Sequence, residues 1–363
     1  MRITNRRNGK IEFMRFVFCC IIMIFHGKSV MDDGRIHFMF SGRLGVEFFY
    51  LVSGYLMASS LAKISMSPSP AAHDISIARE TERFLLRKLK ALYPMIVIAF
   101  FMKLFIGFYL EPTSFAMGFE KIIKGIPNLF LIQQTGIQFY TINGTWYISS
   151  MLIAMAILFP LTLKYYQFMR RIGAGLIAFL LIGHMMQMTD GLAGPTVIMH
   201  DITYLGNIRA LSEIALGMLC YEGAISLREI PFTKLGLFFL KILEAALYVS
   251  AILYMLLHEL SKYDFFILLT LAAAVTISFS KCNYNEQLWD KPVFSFLGKS
   301  SLYIYLAHLS VATDLTFIVG EDANNVIRMI VFIVLAFLAA TFLWISSMWW
   351  KKVSVKLRAS IVK

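Results

Sequence analysis

The sequence predicts an all-α protein: a polytopic bundle of about ten transmembrane helices with both termini on the cytoplasmic side. Three observations predict it. Of the 363 residues, 58% are hydrophobic and only 15% charged, whereas soluble domains are nearer half apolar and a quarter charged. Mean hydropathy is +0.69, which is more apolar surface than one core hides, so much of it must face lipid. The 34 Lys and Arg also collect in alternate connecting segments, on one side, once the apolar runs are placed, as the positive-inside bias of membrane proteins requires. That bias, rather than nucleic-acid binding, accounts for the net charge of +12. Disorder, collagen-like repeats and a disulfide scaffold are excluded. The four cysteines, Cys19, Cys20, Cys220 and Cys282, have no metal-like spacing.

A span takes roughly 20 mostly apolar residues. Ten segments are read as spans: 11–27, 43–62, 91–110, 145–165, 172–189, 205–226, 235–258, 263–280, 299–320 and 327–350. The first follows a basic start, like a secretory signal. However, Glu12 and Arg15 interrupt it, and no small-x-small site follows His26, so an uncleaved helix is expected. The third follows the breaker Ser67-Pro68-Ser69-Pro70 and a basic stretch from Arg79 to Lys90. With the N-terminus inside, 23 of the 34 Lys and Arg lie in inside segments and 7 in outside segments. The other four, Arg15, Lys103, Arg209 and Lys241, fall well within spans, residues at span ends being counted with the adjoining segments. The longest connections, 63–90 inside and 111–144 outside, are too short for a separate domain, and no 20–50-residue repeat is present. One integral-membrane domain is expected over 1–363, with its core at 10–350, a basic tail at 351–363, and the cell membrane as its place.

Ionisable groups within a bilayer are expensive and mark function by default. Arg15 and His26 lie eleven residues apart. At 100° per residue they share a helix face, roughly 16 Å apart along the axis. Snorkelling of Arg15 to the headgroups is the alternative. The second span opens Gly45-Val46-Glu47-Phe48-Phe49-Tyr50-Leu51-Val52-Ser53-Gly54-Tyr55. A short outer turn brings Glu47 back to the depth of His26, where a carboxylate would orient the imidazole as a base. Ser53-Gly54 either packs helices closely or leaves room for a thin ligand chain.

Arg83, Arg87, Lys88 and Lys90 precede the third span, with 83 and 87 on one face. They either rest on anionic lipid or clamp phosphate. Arg209 and Glu213, one turn apart, are expected to neutralise each other. Lys241 and Glu244 would line an interface, and Asp314 and His308 share the ninth span. His184 and His258 lie near outer helix ends.

Together these pieces resemble the membrane-bound acyltransferase-3 family, the bacterial O-acyltransferases of cell-surface polysaccharides. Arg15 and His26 match its arginine-ten residues-histidine signature. Gly45 to Tyr55 match its Gly-Val-Asp/Glu-x-Phe-Phe-x-x-Ser-Gly-Phe/Tyr segment, with Glu where Asp is common. Arg83, Arg87 and Tyr93-Pro94 are similar to its basic stretch before a Pro-containing helix. Trp146, within Asn143-Gly144-Thr145-Trp146-Tyr147, and Arg209 followed by Gly217 are similar to later signatures. Gly298 to His308 resembles its Gly-x-x-Ser-x-x-x-Tyr-x-x-His ending. No appended hydrolase-like outer domain is seen.

The resemblance implies acyl transfer, commonly of acetyl, from cytoplasmic acyl-CoA to a sugar hydroxyl of a cell-surface or exported glycan, with no permanently bound cofactor and no metal. His26, Arg15 and Glu47 would be catalytic. Arg83, Arg87, Lys88, Ser53, Gly54 and Tyr55 would bind acyl-CoA. Phe48, Phe49, Trp146, Arg209, Glu213 and His308 would line the substrate pocket. The partners are then acyl-CoA, a glycan or lipid-linked sugar, and the bilayer. A transporter or flippase of lipid-linked sugars is the competing class. It would share the span count and basic loops, but it gives no reason for an arginine and a histidine on one helix face. The acceptor and the acyl length are not legible.

Overall fold

A computed structural model describes residues 7–31, 40–65, 76–110, 114–137, 144–192, 194, 198–199, 202–312, 316–320 and 323–361. The chain runs α1 (Gly9–His26), α2 (Gly45–Ser65), α3 (Ile77–Leu110), α4 (Phe115–Leu129), α5 (Trp146–Lys164), α6 (Tyr166–Phe168) and α7 (Ala174–Met188). A two-residue hairpin follows, β1 (Ile198–Met199) pairing antiparallel with β2 (Thr203–Tyr204). Then come α8 (Leu205–Glu229), α9 (Lys234–Leu257), α10 (Asp264–Ser280), α11 (Glu286–Trp289), α12 (Pro292–Val311), α13 (Thr316–Val319) and α14 (Asn325–Ile361).

The ends of these helices follow from local chemistry. The Asn8 side chain accepts from the Lys10 and Ile11 amides and so caps α1, while Thr233 caps α9 in the same way. Lys281, at φ 60°, stops α10 in the left-handed region. Pro292 opens α12, where a missing N–H costs nothing.

All ten positions read as spans carry a helix. Among the described residues, seven helical stretches are long and apolar enough to cross a membrane: Gly42–Ser65, Ile77–Tyr109, Trp146–Lys164, Tyr166–Met188, Leu205–Glu229, Lys234–Leu257 and Asn325–Trp350. The helix α10 is apolar but shorter, at 17 residues. Three boundaries differ from expectation. The basic stretch before residue 91 is helical and continuous with α3. The segment 111–144 holds the amphipathic helix α4, capped by Ser114. The ninth span is not one helix to residue 320: α12 ends at Val311 and α13 is a single turn. Asp314 lies outside the described residues.

Two pairings organise the interior: α2 on α8 and α1 on α12. A Cβ on Gly54 would meet the Ile214 carbonyl oxygen, and one on Gly217 the Leu51 carbonyl oxygen. The α2 and α8 backbones therefore touch, as small residues permit in membrane helices. At the N-terminal side of α1 a buried knot ties three helices. Lys10 Nζ donates to Glu244 (2.6 Å), which also accepts from Ser278 (2.5 Å) and Asn283 (2.9 Å). Glu244 is thus a buried tie to α1, whereas the neighbouring Lys241 is exposed.

Candidate active site

The C-terminal ends of α1 and α12 meet the N-terminal ends of α2, α5 and α8 at one end of the bundle. Between them lies a cavity of about 380 Å³, lined among others by His26, Lys28, Arg43, Trp146, Arg209, Tyr305 and His308. The partial positive charge of a helix N-terminus favours negative charge in the first turn, and that is where Glu47 stands on α2.

Glu47 does not pair with His26. Its Oε1 accepts from Arg209, both side chains being almost wholly buried, and its Oε2 has no hydrogen-bond partner among the described residues. Glu213 lies 3.8 Å from Arg209 Nε, too far for a hydrogen bond. The Arg209–Glu213 pair expected from one-turn spacing is therefore secondary. The α2–α8 contact brings Glu47 to the guanidinium from across the crossing, which sequence separation on α8 could not reveal. Trp146, the first residue of α5, covers the same guanidinium at 5.6 Å.

His26, the last residue of α1, instead faces His308, with ring centroids 5.3 Å apart. His308 is buried, and its Nδ1 lies 3.2 Å from the Ile304 carbonyl one turn back. Tyr305 donates to the Gly144 carbonyl at 2.5 Å, fixing α12 to the start of α5.

Arg15, three turns below His26, meets Glu12 at 3.5 Å, and its buried Nε has no partner among the described residues. It lies within electrostatic reach of Lys88 on α3 and Tyr147 on α5. A polar column leads from there towards the cavity. Ser53 Oγ is 3.5 Å from Tyr147 Oη, the tilted rings of Tyr147 and Tyr50 lie 4.6 Å apart, and Tyr50 Oη is 2.5 Å from Ser150 Oγ.

The basic stretch divides by face. Lys88 turns inward over the Phe84 ring at 5.2 Å. Arg83 and Arg87 turn outward and, with Arg79 and Lys90, line a surface recess of about 260 Å³. Arg83 is also paired with Glu80 on its own helix.

Three residues read as ligand contacts are placed elsewhere. Gly54 is occupied by the helix crossing, where no space for a ligand chain remains. Tyr55 stacks on Phe279 at 3.6 Å and bonds Arg228 at 3.3 Å, facing α10 rather than the column. Phe48 stacks on Phe18 at 4.7 Å in the core, whereas Phe49 turns towards Tyr147. In each case helical periodicity sends adjacent residues to different neighbours. Ser53 stays on the column while Gly54 does not.

Tyr147, Tyr50 and Tyr305 belong to the site although the sequence reading assigned them no role. Each stood inside a quoted motif, and buried hydroxyls with fixed partners were the available signal. Arg43, in the turn just before α2, bonds the Leu192 carbonyl and Asp264 Oδ2, both at 3.0 Å, and clasps that turn to α10 at the cavity rim.

The chain matches the family described as "Acyltransferase domain", acyltransferase 3, over residues 8–349. It belongs to the acyltransferase-3 family. It is accordingly a membrane acyltransferase, and the match spans every helix that lines the cavity. No curated protein matches the chain, and no solved structure does.

Proposed function

We propose that this membrane acyltransferase moves an acyl group, acetyl in the simplest case, from acyl-CoA to a sugar hydroxyl of a cell-surface or exported glycan. The carrying observation is the arrangement along α1: Arg15 beside the column of hydroxyls, and His26 three turns on, facing His308 in the cavity. Basic residues at the start of α3 suit the phosphates of CoA, since guanidinium groups bind phosphate oxygens in bidentate fashion. Arg15 and Lys88 suit the inner part of the donor. The narrow pantetheine arm would follow Ser53 and Tyr147 towards the cavity.

In this reading His26 removes the proton of the acceptor hydroxyl, whose oxygen attacks the thioester carbonyl. The C–O bond forms, the C–S bond breaks, and the thiolate of CoA takes the proton from the imidazolium. Transfer through an acyl-imidazole on His26 is the two-step form of the same exchange. Negative charge on the carbonyl oxygen would be met by the N-termini of α2, α5 and α8. The competing transporter reading offers no use for paired imidazoles in the cavity.

The test uses membranes or detergent-purified protein with acetyl-CoA labelled in the acetyl group. Thioester loss and acetyl transfer are expected from the wild type, and His26→Ala should lose about 10²–10⁴-fold, the usual contribution of a general base. Full activity in His26→Ala at matched abundance would remove the imidazole from the chemistry. No donor consumption by the wild type would reject the acetyl-CoA reading itself.

A further inference from the structure

One atom of the cavity has no use in the transfer step. His308 is 1% exposed, at the last turn of α12. Its Nδ1 is 3.2 Å from the Ile304 carbonyl oxygen. A carbonyl can only accept, so Nδ1 carries the proton, and in a neutral ring Nε2 is then a bare acceptor. That Nε2 is buried and has no hydrogen-bond partner among the described residues. Nδ1 points back along its own helix, and the ring lines the cavity together with His26.

A buried acceptor left without a donor is unfavourable, and the deficit ends when a ligand brings an N–H or O–H. The lining is mostly apolar, and its charged side chains besides the histidines are the cations Lys28, Arg43 and Arg209, which donate and so leave a ligand's own hydroxyl protons to the imidazoles.

We propose that His308 Nε2 accepts a hydrogen bond from a second hydroxyl of the acceptor, next to the one being acylated. The inference rests on the acyltransferase reading above and narrows its substrate to a polyol with neighbouring hydroxyls. One hydroxyl donates to His26 and is acylated. The other donates to His308, and no bond to carbon forms or breaks there. His308 thus selects which oxygen of a sugar ring reaches His26, because swapping the two hydroxyls changes the direction in which the ring must enter. A site that hydrogen-bonds a substrate hydroxyl discriminates against the analogue that lacks it.

The test compares purified full-length wild type, H308N and H308Q with acetyl-CoA and methyl glucopyranoside, alongside its monodeoxy analogues. In the wild type, one deoxy analogue should show KM raised about tenfold at similar kcat, the effect of one neutral hydrogen bond. H308N keeps an amide N–H near the position of Nδ1 and deletes Nε2. It should raise KM for the parent sugar about tenfold at similar kcat and erase the preference. H308Q, whose amide reaches the Nε2 position, should recover part of the preference. Undiminished discrimination in H308N, equal use of all analogues by the wild type, or an equal fall of kcat for every analogue in folded H308N would each overturn the inference. Absence of any CoA release by the wild type would instead reject the reading on which it rests.

Discussion

Replacing Glu47 with Gln is expected to loosen Arg209 and leave the titration of His26 as it was. The two side chains are 1% and 2% exposed, and removing one partner of a buried pair costs about 3–5 kcal/mol, because the other charge is stranded. Gln keeps one acceptor oxygen for the guanidinium, and Glu213 remains 3.8 Å from Arg209. The expected loss is therefore at the lower end, about 3 kcal/mol. Unfolding in mixed micelles of increasing SDS content would measure it for Glu47→Gln, Arg209→Met and the double variant. Because each single change exposes the same broken contact, the double should fall short of the sum of the singles by about 1 kcal/mol or more. Transfer activity of Glu47→Gln should drop while its pH–rate profile keeps the wild-type shape. Additive losses would show that the pair is not coupled. A displaced pH profile would show that Glu47 acts on an imidazole after all.

Three further outcomes are expected. Arg15→Lys should lower acyl transfer at matched membrane abundance, since a lysine lacks the forked donors of guanidinium; full activity would return Arg15 to snorkelling. Gly54→Val should destabilise the protein by about 1–3 kcal/mol, the usual cost of overpacking, because its Cβ meets the Ile214 carbonyl. An unchanged midpoint in the same micelle assay would contradict the backbone contact. A cysteine introduced at Lys262 should react with an impermeant maleimide in sealed cells, and one at Gln287 should not, if the basic side is cytoplasmic. The reverse pattern would invert the bundle.

Most of the helices were legible because span length and apolar composition are local properties. The Arg15–His26 face was legible too, since both residues lie on one helix with known periodicity. What one helix cannot announce is its neighbour. Glu47 and Arg209 are 162 residues apart, and nothing in either segment states that α2 crosses α8 there. The same blindness assigned Gly54 and Tyr55 to a ligand when the α8 backbone and Phe279 occupy them. The partner of His26 was misread for a related reason: the returning carboxylate was visible in the next span, whereas His308 arrives from far along the chain on α12. The extension of α3 back to Ile77 was hidden by its charge, which reads as loop in a scale tuned for lipid.

The glycine crossing of α2 and α8 sets more than packing density. Glu47 lies seven residues from Gly54, and Arg209 eight residues from Gly217, so each charged group rides at the tip of an arm of about 10–12 Å. A tilt of about 5° at the pivot displaces such a tip by about 1 Å, and errors of that size in a reacting geometry cost on the order of 10²-fold in rate. A methyl group added at mid-depth, about 10–12 Å from the cavity, would therefore detune it at its rim. The crossing works as the gauge by which two distant segments are held in calibration.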